Sequence, residues 1–156
     1  AVRQQVGYHS FKSGNAMAYL LMIDDNPQNQ AYLEKIIRYR SSHEIAFASS
    51  SVEAVEKLVE RRPDVVMLDL FIPGADGLEF FQSLREPPAT ADIPIVIHTA
   101  VPLDQLTEMR LKRVTRTVRY EGFIQFPVEA SELNRIIAIA LKRNASGARK
   151  WVPPSA

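Results

Sequence analysis

The chain has no cysteine among its 156 residues, which excludes disulfides and thiolate metal centres. No apolar run approaches the roughly 18 residues that a membrane-spanning helix needs. The chain does not open on a secretory signal pattern either. No membrane partner is expected, and a cytoplasmic location is the default. Histidine is scarce: His9, His43 and His98 are the only three, and His9 and His43 have no ligand partners at useful spacing, so a zinc site is not expected. A strong net charge is also missing, since 19 basic and 18 acidic side chains leave +1. That near-balance hides a division. Residues 1–17 and 142–156 carry six basic side chains (Arg3, Lys12, Lys142, Arg143, Arg149, Lys150) and no acidic one, while residues 18–141 carry 13 basic and 18 acidic, a net of −5. Basic ends can touch nucleic acid or acidic partners, but solvated termini are the simpler reading.

What is present is an ordinary globular composition, 46% hydrophobic and 24% charged, in a length that suits one domain. Two short apolar runs, Ala18–Ile23 and Val65–Leu68, end in aspartates: Asp24 and Asp25 after the first, Asp69 after the second, 44 residues beyond Asp25. Each run reads as a buried strand of a parallel sheet. Groups at the carboxyl ends of such strands converge on one crevice. Three carboxylates there repel one another, and a hard cation with oxygen ligands, Mg2+ above all, relieves that repulsion.

The rest of the chain alternates strand and helix. Strands are predicted at about 18–24, 44–48, 65–70, 93–99 and 122–126. Helices follow from Pro27 to about Arg40, from the Ser49-Ser50-Ser51 cap through Arg62, over 78–85, from about Leu103 to Val118, and over 130–142. The inward faces read as Leu33, Ile36 and Ile37 on the first helix, with the stem of Arg40. On the second they are Ala54, Val55, Leu58 and Val59, and on the fifth Leu133, Ile136, Ile137, Ala140 and Leu141. Tyr32, Tyr39, Phe80 and Phe81 read as core or helix-face residues. This is an α/β chain with helices on both faces of a five-stranded parallel sheet. Residues 1–17 read as an N-terminal arm in which Gly14-Asn15-Ala16 looks like a vector scar. Residues 18–142 form the domain, and 143–156, with Trp151, a tail or linker.

At this point the chain resembles the receiver domain of two-component response regulators. The resemblance spans about residues 18–142 and rests on an ordered set. The acidic pair Asp24-Asp25 is followed by the segment from Asp69 to Gly77, which resembles the pattern Asp-x-x-x-Pro-x-x-Asp-Gly. Thr99-Ala100 follows 30 residues after Asp69, and Phe123 and Pro127 come last. The resemblance implies a flavodoxin-like (βα)5 fold with a doubly wound sheet, strand order 2-1-3-4-5. It implies Asp69 as the acceptor of a phosphoryl group from a histidine kinase or phosphotransfer protein. Mg2+ would be held directly by Asp25, Asp69 and the backbone carbonyl of Phe71, with Asp24 acting largely through water. Thr99 and the N–H of Ala100 would bind phosphoryl oxygens, and Phe123 would be the switching aromatic. The implied role is signalling rather than catalysis, with at most weak self-dephosphorylation. It would pass through an effector docked on the helix 4–strand 5–helix 5 face, where Arg110, Lys112, Arg113, Arg116 and Arg119 lie, or through a homodimer. The competing reading of those charges is a solvated face, with Lys112, Arg116 and Arg119 at i, i+4, i+7. Direct nucleic-acid binding is not expected from so short a segment after the fifth helix. A phosphatase with an aspartyl nucleophile is disfavoured, because it wants an acid at the position of Phe71.

Two departures stand out. The family places a lysine directly before the proline after strand five, and here that residue is Phe126. Phenylalanine supplies neither charge nor hydrogen bond, which supports an alternative: a divergent receiver acting as a binding module with weak or no phosphorylation control. Gln125 is expected to point to the opposite face. The stretch from Thr99 to Pro127, 28 residues, is also longer than the family usually has. His98, preceding Thr99 on a strand, is expected to point away from the crevice and to be structural.

Overall fold

The computed structural model describes residues 17–145; the arm over 1–16 and the tail over 146–156, including Trp151, lie outside the described residues. Five strands and five helices alternate: β1 (Tyr19–Ile23), α1 (Pro27–Arg40), β2 (Glu44–Ala48), α2 (Ser51–Glu60), β3 (Val65–Asp69), α3 (Gly77–Leu84), β4 (Ile95–Thr99), α4 (Gln105–Thr115), β5 (Gly122–Gln125) and α5 (Ala130–Ala145). All neighbours are parallel, in the order β2-β1-β3-β4-β5. This is the flavodoxin-like arrangement expected from the sequence. The central strands are continuous apolar runs because both of their faces are covered.

Each face of the sheet has its own core. Leu20, Met22, Val65, Met67, Val96 and Ile124 pack against Leu33, Ile36 and Ile37 of α1 and Leu133, Ile136, Ile137 and Ala140 of α5. Leu21, Ile23, Val66, Leu68, Ile95 and Ile97 pack against α2 and α3 on the other face, joined by the partly buried Leu111 and Val114 of α4. Capping matches the sequence cues at the first two helices, where Asn26 and Ser50 accept N–H groups in the first turns of α1 and α2, and Asp76 and Asp104 cap α3 and α4 in the same way.

Several details differ from expectation. On α2 the inward stripe is Ser51, Ala54 and Leu58, whereas Val55 and Val59 are exposed together with Val52. This helix covers the edge strand β2, so only one narrow stripe finds a partner surface. The helix ends at Glu60, before Arg62, and Arg40 is exposed. Tyr39 is exposed, while Phe81 is fully buried. Helix α4 stops at Thr115, three residues short of the expected end. Arg119 therefore lies beyond the helix and cannot continue a row with Lys112 and Arg116.

Candidate functional site

A parallel sheet brings all its carboxyl ends to one edge, and register decides which side chains meet there. Asp69 closes β3 and pairs with His98 of β4. Alternation carries Asp69 to the side of Val65 and Met67, Asp24 to that of Leu20 and Met22, and His98 to that of Val96. All three thus face the α1/α5 side of the sheet. They are buried, and one ligand atom from each lies within 4.8 Å of the others. His98 is consequently a member of the acidic site, which corrects the reading of it as a purely structural residue pointing away. The expectation compared it with Thr99 in its own strand, whereas the relevant neighbour is Asp69 across the ladder.

Asp24 is fully held. Its Oδ1 accepts the Asn26 N–H at 2.7 Å, and its Oδ2 accepts Asn29 Nδ2 at 2.9 Å and meets His98 Nε2 at 3.0 Å. Its backbone carbonyl accepts Gln30 Nε2 at 2.6 Å. Burial pushes the Asp24 carboxyl up, but hydrogen bonds from His98, Asn26 and Asn29 outweigh that and keep it below the usual carboxylate range. Asp69 is the reverse case. Burial pushes it up to about 6; the Phe71 N–H, 2.9 Å from Oδ1, and His98 pull downward, while the charges of Asp24 and Asp25 push upward. Two adjacent buried carboxylates are therefore driven in opposite directions by their donor supply.

Asp25 is exposed, at the mouth of a cleft of about 400 Å³ lined also by Phe71, Pro73, Asp76, Thr107 and Arg110. Arg110 pairs with Asp76 at 2.9 Å across this cleft. The wall of the cleft explains the Asp76-Gly77 motif. Asp76 caps α3 through Leu78 N–H and Glu79 N–H at 3.0 and 3.1 Å, and a Cβ on Gly77 would sit 2.1 Å from the carbonyl oxygen of Leu70. Gly74, at φ 86°, supplies the turn between them.

Thr99 is buried; its hydroxyl accepts the Val101 N–H at 3.1 Å and lies 3.3 Å from the Val101 carbonyl. By alternation with Ile95 and Ile97 it lies on the opposite side of the sheet from Asp69. Ala100 is exposed and lines a smaller cleft of about 260 Å³ with Asn29, Tyr32, Phe126 and Pro127. Phe123 is half-buried against the α2/α3/α4 core. Gln125 donates to the Thr99 carbonyl at 3.1 Å. Phe126 is buried, its ring edge-on to His98 at 5.1 Å and to Tyr32 at 6.4 Å.

The basic face also differs from expectation. Lys112 pairs with Glu108, and Arg110 is engaged with Asp76. Arg119 turns inward to Glu121 at 2.8 Å and donates to the Asp92 carbonyl at 2.7 Å. Arg113 and Arg116 are exposed. The five residues do not form one solvated row.

Comparison with known proteins agrees with this architecture. The receiver-domain family model matches residues 20–138. The transcriptional regulatory protein AfsQ1 of Streptomyces coelicolor is 36% identical over 84 residues, 54% of this chain but 36% of that protein, so the chain spans only part of such relatives. The signal receiver domain of a modulated diguanylate cyclase from Desulfovibrio desulfuricans superposes with a TM-score of 0.71 at 26% identity, covering 85% of this chain and all of that one. The receiver domain of a sensor histidine kinase from Pseudomonas aeruginosa, solved with a magnesium ion in its active-site cleft, shares the fold at a TM-score of 0.69 and 24% identity, over 81% of this chain and 99% of that one. No described helix is long and apolar enough to cross a membrane. With the sheet order, the acidic edge and a family match over residues 20–138, this chain belongs to the response regulator receiver domains of two-component systems.

Proposed function

We propose that the domain accepts a phosphoryl group on Asp69 from a histidine kinase or phosphotransfer protein, with Mg2+ bound at the same edge. The observation that carries this reading is the contrast at Asp69: a buried carboxylate with one backbone donor, raised to about 6, beside two more acids. A group in that state is ionised at neutral pH yet poorly compensated, which suits both a nucleophile and a cation ligand.

The donor set fits a hard dication. Asp69 and Asp25 would hold it directly with the Phe71 carbonyl, and Asp24, whose two oxygens are already hydrogen-bonded, would act through water. When bound, Mg2+ neutralises charge on the transferring phosphoryl group. An Asp69 oxygen forms a bond to phosphorus as the donor's P–N bond breaks, and the leaving imidazole keeps the electron pair. Thr99, whose side chain starts on the other side of the sheet, would have to release Val101 and reach over the strand end to donate to a phosphoryl oxygen, and Ala100 would contribute its N–H. Phe123, packed beside α4, is the aromatic that could follow that movement.

The output surface would be the α4–β5–α5 face. Leu106 and Met109 are more than half exposed on α4, and Arg113 and Arg116 are exposed nearby. An acidic effector with an apolar anchor fits such a surface. A second reading, a binding module without phosphorylation control, is favoured by the buried Phe126.

Intact-mass measurement with a small phosphodonor and Mg2+, beside an Asp69→Asn control, separates the two. One added phosphoryl group, absent from the control, is the expected result. No addition, with no metal-dependent shift in backbone amide resonances, would leave the binding module.

A further inference from the structure

Asp24 is a fully buried carboxylate, and its hydrogen-bond partners come from two places. Asn26 and Asn29 belong to the loop and first turn that follow its own strand. His98 reaches it from β4, two strands away across β3. Both Asp24 oxygens already accept N–H groups, Oδ1 from Asn26 and Oδ2 from Asn29, and in that donor pattern the hydrogen of the 3.0 Å contact is assigned to Nε2. The other ring nitrogen, Nδ1, is buried and has no hydrogen-bond partner among the described residues. An unpaired buried polar atom carries a cost that a valine or isoleucine would avoid, and the neighbours Ile95, Val96 and Ile97 are of that kind. The imidazole stands on β4 where packing alone would be served better by an apolar side chain.

Its surroundings restrict what else it could do. Phe126 packs edge-on to the ring at 5.1 Å, and Tyr32 packs on Phe126. Phe126 stands where the receiver pattern has a lysine, so that position offers no donor to the acids. His98 faces the same carboxylates from one strand further in.

We propose that His98 is a positioning residue for the acceptor site: its Nε2–H ties β4 to Asp24 and fixes that carboxylate beside Asp69, a task that Phe126 has no group to perform. The inference rests on the receiver reading of Asp69. His98 touches no reacting atom in this scheme; it acts through Asp24. Partners of this kind, one step behind the metal ligands, commonly change metal affinity about 10–100-fold when removed.

The test has two parts. Long-range 1H–15N correlation on the unaltered protein reads the ring directly. The Nε2–H form is expected, with a proton protected from exchange and a shift that moves on adding Mg2+. Mg2+ is then titrated against the amide resonances of Phe71 and Ala100. His98→Val is expected to weaken binding about tenfold. His98→Gln, which keeps an N–H donor, should recover most of the loss, as should Phe126→Lys added to His98→Val. An Nδ1–H ring in the unaltered protein, or His98→Val binding Mg2+ as tightly as the parent, would overturn the proposal. No Mg2+ response in the unaltered protein would overturn the acceptor reading and this inference with it; a normal response in the parent and an equal one in His98→Val overturns only the inference. The ring measurement needs no variant, so a substitution that fails to fold leaves the proposal open to refutation.

Discussion

Strand β4 has a buried charge cluster at each end, and the two are built on opposite terms. At its amino end Glu121, with no exposed side-chain surface, accepts the Ile95 N–H at 2.5 Å and meets Arg85 at 3.3 Å and Arg119 at 2.8 Å. Arg85 donates in turn to the carbonyls of Arg119, Ala91 and Ile93. Burial brings Arg85 down to about 10, with the Glu121 charge opposing that shift. At the carboxyl end Asp69 has one backbone donor and two acidic neighbours. Burial is common to both ends; compensation is not. The compensated cluster clamps α3, β4 and β5 together, and the uncompensated one is left ready for a cation or a phosphoryl group. Buried charge by itself marks neither stability nor function; the donor count around it separates them.

The largest expected effect breaks the compensated end. Glu121→Ala leaves Arg85 and Arg119 without their acid and should cost about 3–5 kcal/mol in urea unfolding; a loss below about 1 kcal/mol would mean that the cluster is not compensated as described.

The uncompensated end should respond in the opposite direction. The Asp69 carboxyl is raised in the folded state from 3.8 to about 6, so the folded protein holds that proton more tightly than the unfolded chain. Stability from this group is therefore present below about pH 4 and lost as pH rises through about 6. Asp69→Asn removes the loss and should stabilise the protein at pH 7 by up to roughly 3 kcal/mol, with the gain vanishing at pH 4. An equal gain at both pH values would contradict the cause assigned here. Saturating Mg2+ should narrow the difference at pH 7, because it stabilises only the protein that binds it.

Between the two clusters lies the wall of the cleft. Gly77→Ala forces a methyl group against the Leu70 carbonyl and should cost about 1–3 kcal/mol by thermal or urea unfolding. The smallest effect is expected at the rim. Arg110→Ala removes an exposed pair with Asp76 and should cost less than about 1 kcal/mol, while leaving phosphoryl uptake by Asp69 intact.

Much of this was legible from residue order. The strand Glu44–Ala48 and the start of α1 at Pro27 are where alternation, caps and breakers put them. Asp24 and Asp69 meet at the edge that the apolar runs lead to. Exposure along α2 was not legible: Val55 and Val59 are apolar at helical spacing, but an edge strand offers too little surface to cover them. The fate of Arg119 depended on where α4 stops, and the strand-end carboxylate Glu121 that captures it gives no local sign of being buried.

His98 shows where the boundary between sequence and structure lies. Alternation within a strand is a local property, and it correctly sends His98 to the side away from Thr99. Which residue of the neighbouring strand then stands beside it depends on register, which is set by how two distant segments pack. The sequence by itself determined the elements, their order and the acids that end them, because burial periodicity and capping act over a few residues. Only the tertiary structure decided that Asp69 stands beside His98, that His98 reaches Asp24, and that Phe126 closes over the pair, because those contacts join four strand ends through packing that no local pattern encodes.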